Sequence, residues 1–286
     1  MATVRDLRDR IRSMKNTQQI TKAMKQVAAA KIRRAEMLQK QSRPYADALS
    51  AMLNDLMANV SSVDHPFMKP GREGAPIGVI VMTADKGLAG AFNANLIREA
   101  EVHGRANENV LWYSVGIKGR NALRRQPNPT EAFWPLTQGQ MIEVAREISQ
   151  RVSDDFVSGK IGGITLISPK LINMMSQRPE KRAIVPIVAV RDDANAGASK
   201  GAVEFEPSAE AVLSRLLPKY LEFSIYSAML ETNASFFAAQ LVAMNNASEN
   251  AKKLIDELTV QMNNARQASI TKEILEIVGG AEALAG

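Results

Sequence analysis

Two long stretches almost free of helix breakers stand at the ends of this 286-residue chain, and they limit what it can fold into more than anything between them. Residues 2–59 and 208–283 each read as one helix, about 80 Å and about 110 Å long at the standard rise per residue. No compact domain encloses rods of that length. The segment joining them is itself long enough to be a domain, so the rods can lie side by side and antiparallel. The expected fold class is α/β with long terminal helices: an antiparallel coiled coil of N- and C-terminal helices plus a central Rossmann-like α/β domain. The corresponding boundaries are 1–63, 64–207 and 208–286.

The apolar spacing supports a paired helix. The series Leu230, Ala234, Phe237, Leu241, Met244, Ser248, Ala251, Ile255, Leu258, Met262, Ala265, Ser269 alternates steps of four and three, the rhythm of a left-handed supercoil. At the other end Val4, Leu7, Ile11 and Met14 keep that rhythm. It then passes through polar Gln18 or Thr21 and resumes at Met24, Val27, Ile32, Ala35 and Leu38. Many seam positions are Ala, Ser or Met, which permit close and adaptable contacts where a rigid zipper would use Leu and Ile.

Composition removes several classes of chemistry. The chain has no cysteine, which excludes disulfides, thiolate metal sites and cysteine nucleophiles. Its two histidines, His65 and His103, sit in loop-like contexts and read as lone surface residues, so a histidine metal cluster is not expected. No apolar run approaches the roughly 18 residues that span a bilayer. The first residues lack the apolar stretch of a signal peptide, and the chain is expected to stay in the compartment where it is made.

The net charge of +6 is unevenly distributed. Arg5, Arg8, Arg12, Lys15, Lys22, Lys25, Arg33 and Arg34 lie in the first rod, where Asp6, Asp9 and Glu36 are the acids up to residue 43. Such a basic stripe suits phosphates, an anionic membrane surface or acidic protein segments. A basic helical hairpin that binds nucleic acid is therefore one alternative. Against it, the stripe has almost no interleaved aromatic residues on which bases could stack.

Between the rods, the pattern alternates strand and helix. Residues 77–82 form a short apolar run of the buried-strand type, followed by the turn 83–87 and a helix over about 93–103. A strand at 110–115, a helix near 118–125 and a short strand at 131–134 come next. Thr137 is placed to cap a helix over about 139–157, and strands at 163–167 and 184–190 complete the alternation. Residues 191–201 read as a loop before Val203, Glu204 and Phe205.

An α/β sheet also admits an enzyme, so the loop from Asp85 to Asn93 matters. It carries Gly87 and Gly90 before a helix, where backbone N–H groups can hold an anion. It matches neither a Walker loop nor a dinucleotide-binding turn. Asp85 with Lys86 could form a catalytic pair, but a turn held by polar side chains is the simpler reading. No catalytic, cofactor-binding or metal-binding residue is assigned.

Two signatures then converge. The stretch from Ile11 to Lys31, IRSMKNTQQITKAMKQVAAAK, resembles the N-terminal helix of the gamma subunits of F-type ATP synthase; Asn264 to Ile274, NARQASITKEI, resembles the other end of the same family. Arg43-Pro44-Tyr45, the turn from Thr83 to Asn93, Ile172 to Gln177 and Val242-Ala243-Met244 extend the resemblance over nearly the whole chain. Pro218 departs from an ideal final helix, because it lacks an N–H and crowds the preceding turn. The cysteine-bearing regulatory insert of chloroplast relatives is missing, and the start favours a bacterial protein.

The resemblance implies a non-catalytic central-stalk rotor that couples proton flow to ATP synthesis or hydrolysis. Its partners would be the alpha and beta subunits of the catalytic ring, the epsilon subunit and the membrane c-ring, at the cytoplasmic face of a bacterial inner membrane. Cofactors, nucleic acid and a direct small-molecule substrate are not expected. The resemblance also implies ring contacts at Lys22, Met24, Lys25, Arg266, Gln267, Thr271 and Ile274. The terminal apolar group Ile270, Ile274, Leu275, Ile277 and Val278 would then suit a hydrophobic collar at the top of the ring's bore.

Overall fold

The structure, a computed structural model, describes residues 3–59, 65–107, 109–136, 139–187 and 208–285. It divides into two compact units, one of residues 1–29 with 240–286 and one of residues 30–239. Two helices supply both ends of the chain, α1 (Val4–Asn59) and α5 (Ala209–Ala285). Each begins on a side-chain cap. Thr3 Oγ1 accepts from the Asp6 N–H while Asp6 Oδ2 accepts from the Thr3 N–H, a reciprocal capping box. Ser208 Oγ accepts from the Ala211 N–H at the start of α5.

In the unit formed by both chain ends, α1 and α5 run antiparallel. Leu7 and Ile11 are buried against Ile255 and Leu258, with Met14, Met262 and Ala265 packed around them. Lys25 meets Asn245, so position numbers fall along one helix as they rise along the other. The four-three series along α5 is observed as far as Ala265: Met244, Ala251, Ile255 and Leu258 are buried, and Ser248, Met262 and Ala265 half-buried, whereas Ser269, its last expected member, is exposed. On α1 the polar step is real, since Thr21 is buried and returns its hydroxyl to the Thr17 and Gln18 carbonyls. The seam then differs from expectation. Val27 is 54% exposed and the small neighbour Ala28 is fully buried in its place. Hydrophobicity favours Val27, but helical phase set by Thr21 puts position 28 on the inner side.

The second unit holds a five-stranded sheet in the order β3-β2-β1-β4-β5. Its strands are β1 (Ile77–Met82), β2 (Val110–Val115), β3 (Thr130–Trp134), β4 (Gly163–Asn173) and β5 (Ser176–Val185). The first four are mutually parallel where they pair. Side chains alternate across the sheet. Val79 and Val81 pack with Trp112, Ala100 of α2 (Phe92–Ala106) and Leu123 of α3 (Ile117–Leu123). Ile80, Met82 and Tyr113 face the opposite layer, where α4 (Met141–Val157) lies with Leu49, Leu53 and Leu56 of α1 and Leu213 to Leu230 of α5.

Three expectations are corrected. No helix separates the last two strands: β4 and β5 form an antiparallel hairpin through Asn173 to Ser176. Pro169 and Pro179 face one another in its register, so the loss of N–H donors is confined to one rung. These prolines hide the strands from a pattern reading. β5 ends at Val185, and residues 188–190, like the 191–201 loop and residues 203–205, lie outside the described residues.

Helix α4 begins after Gln140 rather than at Gly139, and Thr137 also lies outside the described residues. Finally, His103 is inside α2, half-buried beside Asn107 rather than on a loop, and its burial pushes its pKa down. Inside this helix Gly104 lies against the Trp112 ring, where a Cβ would come within 2.8 Å of it. His65 is half-buried too and accepts from the Phe67 N–H, closing the short 3-10 turn Pro66–Met68.

Candidate interaction surface

The last turns of α5 are built unlike the rest of the chain. Every residue from Arg266 to Ala281 is exposed, although Ile270, Ile274, Leu275, Ile277 and Val278 are among them. At 3.6 residues per turn these five apolar side chains spread over an arc of about 160°. Gln267 and Thr271 fall inside that arc and Arg266 at its edge. The opposite side carries polar pairs: Lys272 with Glu276 at 3.5 Å, and Ser269 with Glu273 at 3.3 Å. The helix is therefore amphipathic with its apolar side uncovered, and exposed apolar surface of this kind marks an interaction site.

Thr271 spends its hydroxyl proton on the Gln267 carbonyl at 3.0 Å, leaving its oxygen lone pairs free. Arg266 makes no ion pair with a described residue, so its guanidinium donors point to solvent. Of the other group, Lys22 is exposed, Met24 half-buried, and Lys25 exposed with its ammonium on Asn245 Oδ1. The structure does not bring the two groups together. Along α5, Arg266 lies 21 residues beyond Asn245, an axial separation of about 30 Å. The surface is thus two patches, a basic one on α1 and an apolar one on the last turns of α5.

The sheet's own candidate site is filled. In parallel α/β sheets ligands enter beyond the carboxyl ends of the strands, where neighbouring connections diverge from one strand; here that strand is β1. Ala84 and Ala89 of the following loop and Phe92 at the start of α2 pack there against Phe236 and Phe237 of α5, with Leu171 of β4 beside them. The Phe92 and Phe236 rings lie 6.0 Å apart edge to face, and the Lys31 ammonium sits 5.2 Å over Phe237. Asp85 is occupied by structure: its Oδ1 accepts from the Ile117 N–H at 3.0 Å and the Leu136 N–H at 3.3 Å. Asn93 spans the loop, accepting from Ala84 N–H and donating to the Lys86 carbonyl. A turn held by polar side chains is what the geometry contains.

The family model described as ATP synthase matches residues 3–284. The chain belongs to this family. It is 43% identical over 288 residues to the ATP synthase gamma chain of Desulforamulus reducens, covering 99% of this chain and all of that one. The ATP synthase gamma chain of Heliobacterium modesticaldum is 42% identical, with the same coverage. Among solved structures, the central stalk and c-ring of Tetrahymena thermophila mitochondrial ATP synthase contains a chain with a TM-score of 0.60 and 26% identity. The match covers 80% of this chain and 99% of that one.

Sequence reading missed three parts of this architecture. The aromatic filling at β1 comes from residues that a heptad series assigns simply to a seam, Phe237, or leaves outside it, Phe236. The Asn245 partner of Lys25 is polar and carries no pattern. The hairpin tip is held by Asn173 Oδ1 accepting from the Met175 N–H and by Gln177 donating to the Asn173 and Met174 carbonyls. An Asn at the first position of the turn was the available signal for it.

Proposed function

We propose that this chain is the central-stalk rotor of a bacterial rotary ATP synthase, coupling transmembrane proton flow to conformational change in the catalytic beta subunits. The observation that carries this reading is the uncovered apolar arc at the end of α5, in a chain of this family. A single helix showing Ile270, Ile274, Leu275, Ile277 and Val278 to water gains nothing by itself. Inside a close-fitting ring the same side chains become a bearing. The domains divide accordingly: residues 1–63 and 208–286 supply the rod, and 64–207 the seat on the c-ring and epsilon subunit.

The mechanism follows from symmetry. Three identical beta subunits around one rod meet three different faces of it: the apolar arc, the polar face of Lys272 and Glu276, and the side between. Each face favours a different conformation, and rotation passes the preference on. The rod acts only through differences in contact energy; a surface that met every subunit equally would shift no population. To swing one subunit from 1:99 to 99:1 requires about 5.5 kcal/mol of such difference. Arg266, Gln267 and Thr271 supply directional hydrogen bonds that an acidic partner holds at one angle and loses at another. Lys22, Met24 and Lys25 form the second, basic patch, where attraction to acidic loops is long-ranged and tolerant of geometry.

In this reading the chain is non-catalytic and peripheral, at the cytoplasmic face of the inner membrane. The filled end of β1 supports that, since Phe92, Phe236 and Phe237 stand where a substrate would enter. Neither the nucleic-acid hairpin nor a small-molecule enzyme has an observation in its favour beyond the sequence pattern.

The test uses the missing cysteines. Gln267→Cys in the assembled complex, combined with cysteines on the beta subunits, should form a disulfide that blocks ATP hydrolysis until it is reduced. Arg266→Ala should lower coupled ATP synthesis without loss of assembly. A Gln267→Cys complex that forms no cross-link with any ring subunit, and Arg266→Ala synthesis equal to the parent, would overturn the reading.

A further inference from the structure

Within the second unit, α1 and α5 border an open groove of about 330 Å³ between residues 45–52 and 212–219. Its walls are apolar: Tyr45, Leu49, Met52 and Leu216. The charged residues lining it are both cations, Arg215 and Lys219. Lys219 already holds Glu222 at 2.9 Å, whereas Arg215 forms no ion pair with a described residue. Tyr45 and Met52, though large and apolar, are each about half exposed, at 52% and 51%.

We propose that this groove binds one long-chain carboxylate, with the acyl chain laid along Leu49, Met52 and Leu216 and the head group on Arg215. The volume is at the lower end of the range for small-molecule sites, about 300 Å³ and above. It admits a single flexible chain whole; of a protein helix, about 10–12 Å across, it admits only side chains. Met52 adapts to a chain of varied path, as thioether side chains do. The free guanidinium offers a planar fork that matches a carboxylate with two parallel hydrogen bonds. A cationic or neutral head group would leave Arg215 unpaired beside a desolvated chain. Bound there, the ligand bridges α1 and α5 and stabilises their pairing by mass action.

The experiment titrates the full chain calorimetrically with dodecanoate, below its micelle concentration, and in parallel with dodecyltrimethylammonium. The expected result is one dodecanoate per chain, a melting temperature that rises with dodecanoate, and no binding of the cationic amphiphile over the same range. Arg215→Gln should weaken dodecanoate at least tenfold. Ala48→Phe, at an exposed position in the groove, should abolish binding by filling it, and Met52→Glu should do so by charge repulsion. Each variant is first checked for an unchanged melting temperature without ligand. Equal binding of both amphiphiles, several molecules per chain, or binding indifferent to Ala48→Phe and Met52→Glu would overturn the proposal. So would binding to the free chain that vanishes in the assembled complex, because a partner subunit would then be the groove's occupant.

Discussion

The ammonium of Lys25 donates a 2.6 Å hydrogen bond to Oδ1 of Asn245, 220 residues away in sequence. It marks the register of α1 against α5 at the point where the basic patch lies, and Asn245 is itself oriented by donating to Glu249 at 2.8 Å. Both ends of the contact are near solvent. A double-mutant cycle of Lys25→Ala and Asn245→Ala, followed by urea unfolding, should give a coupling below about 1 kcal/mol. The larger effect expected is on function. Asn245→Ala frees Lys25 to move, and ATP synthesis in the assembled complex should drop while the melting temperature barely changes.

The burial of Ala28 instead of Val27 makes an opposed pair of substitutions. Ala28→Leu forces three extra carbon atoms into a closed space and should destabilise the chain by about 1–3 kcal/mol. Val27→Ala, on the exposed side, should change stability by about 0.5 kcal/mol or less. Chemical denaturation of the two variants distinguishes them, and the reverse order would place the seam one residue earlier.

Tyr113 is fully buried and donates a 2.6 Å hydrogen bond to Asp155 Oδ2, which also accepts from Arg151 Nε at 3.0 Å. Lys160 completes the cluster through Glu131. Burial first, and then the bond to Asp155 and the charges of Asp155 and Glu131, push the phenol well above its usual 10.0. In the unfolded chain Tyr113 ionises near pH 10, while in the folded chain it keeps its proton. Above about pH 10 the unfolded state therefore binds fewer protons, and stability falls as pH rises. The Tyr113→Phe variant should lose about 1–2 kcal/mol at neutral pH, from the missing hydrogen bond. Its stability should then fall less steeply than the parent's above pH 10, as measured by denaturation at a series of pH values.

Gly116 adopts φ +91°, and a Cβ there would lie 2.1 Å from the Thr83 carbonyl oxygen. Gly74 also has a positive φ, +76°, but nothing lies within 4 Å of its missing Cβ. Gly116→Ala should cost more than about 3 kcal/mol, because backbone strain adds to a clash between strands. Gly74→Ala should cost about 1–2 kcal/mol from conformation alone. Thermal melting of both separates the close approach from the dihedral preference.

Phe236→Ala would empty the space beyond β1 where Phe92 and Phe236 now meet. The expected loss is about 3–5 kcal/mol for a buried aromatic truncated among packed neighbours. Partial relief by a small apolar ligand, seen as a raised melting temperature, would show that the space stays open rather than collapsing.

Much of this architecture was legible in the residues. The strand at 77–82 and the strand at 110–115 are found at the positions read from sequence, because a buried parallel strand is a continuous apolar run and few other structures are. The two terminal helices are legible for the same reason: the four-three spacing from Leu230 to Ala265 is a long, repeated signal. The hairpin of β4 and β5 was not, since its prolines and charged residues carry no clean alternation and its stability comes from pairing with β1 on one side only. Helix phase at Ala28 was likewise unreadable, because a methyl group and an isopropyl group differ in hydrophobicity in the wrong direction.

Sequence alone determined that both ends would be long helices, that an α/β sheet would lie between them, and that thiol chemistry was impossible; each rests on local periodicity or on composition. Only the tertiary structure decided that Phe236 and Phe237 would fill the end of β1, that Asp85 would be spent on two backbone N–H groups, and that the arc from Ile270 to Val278 would be left uncovered. Those outcomes depend on which distant surfaces meet, and packing energy between residues far apart in the chain is written in no single stretch of it.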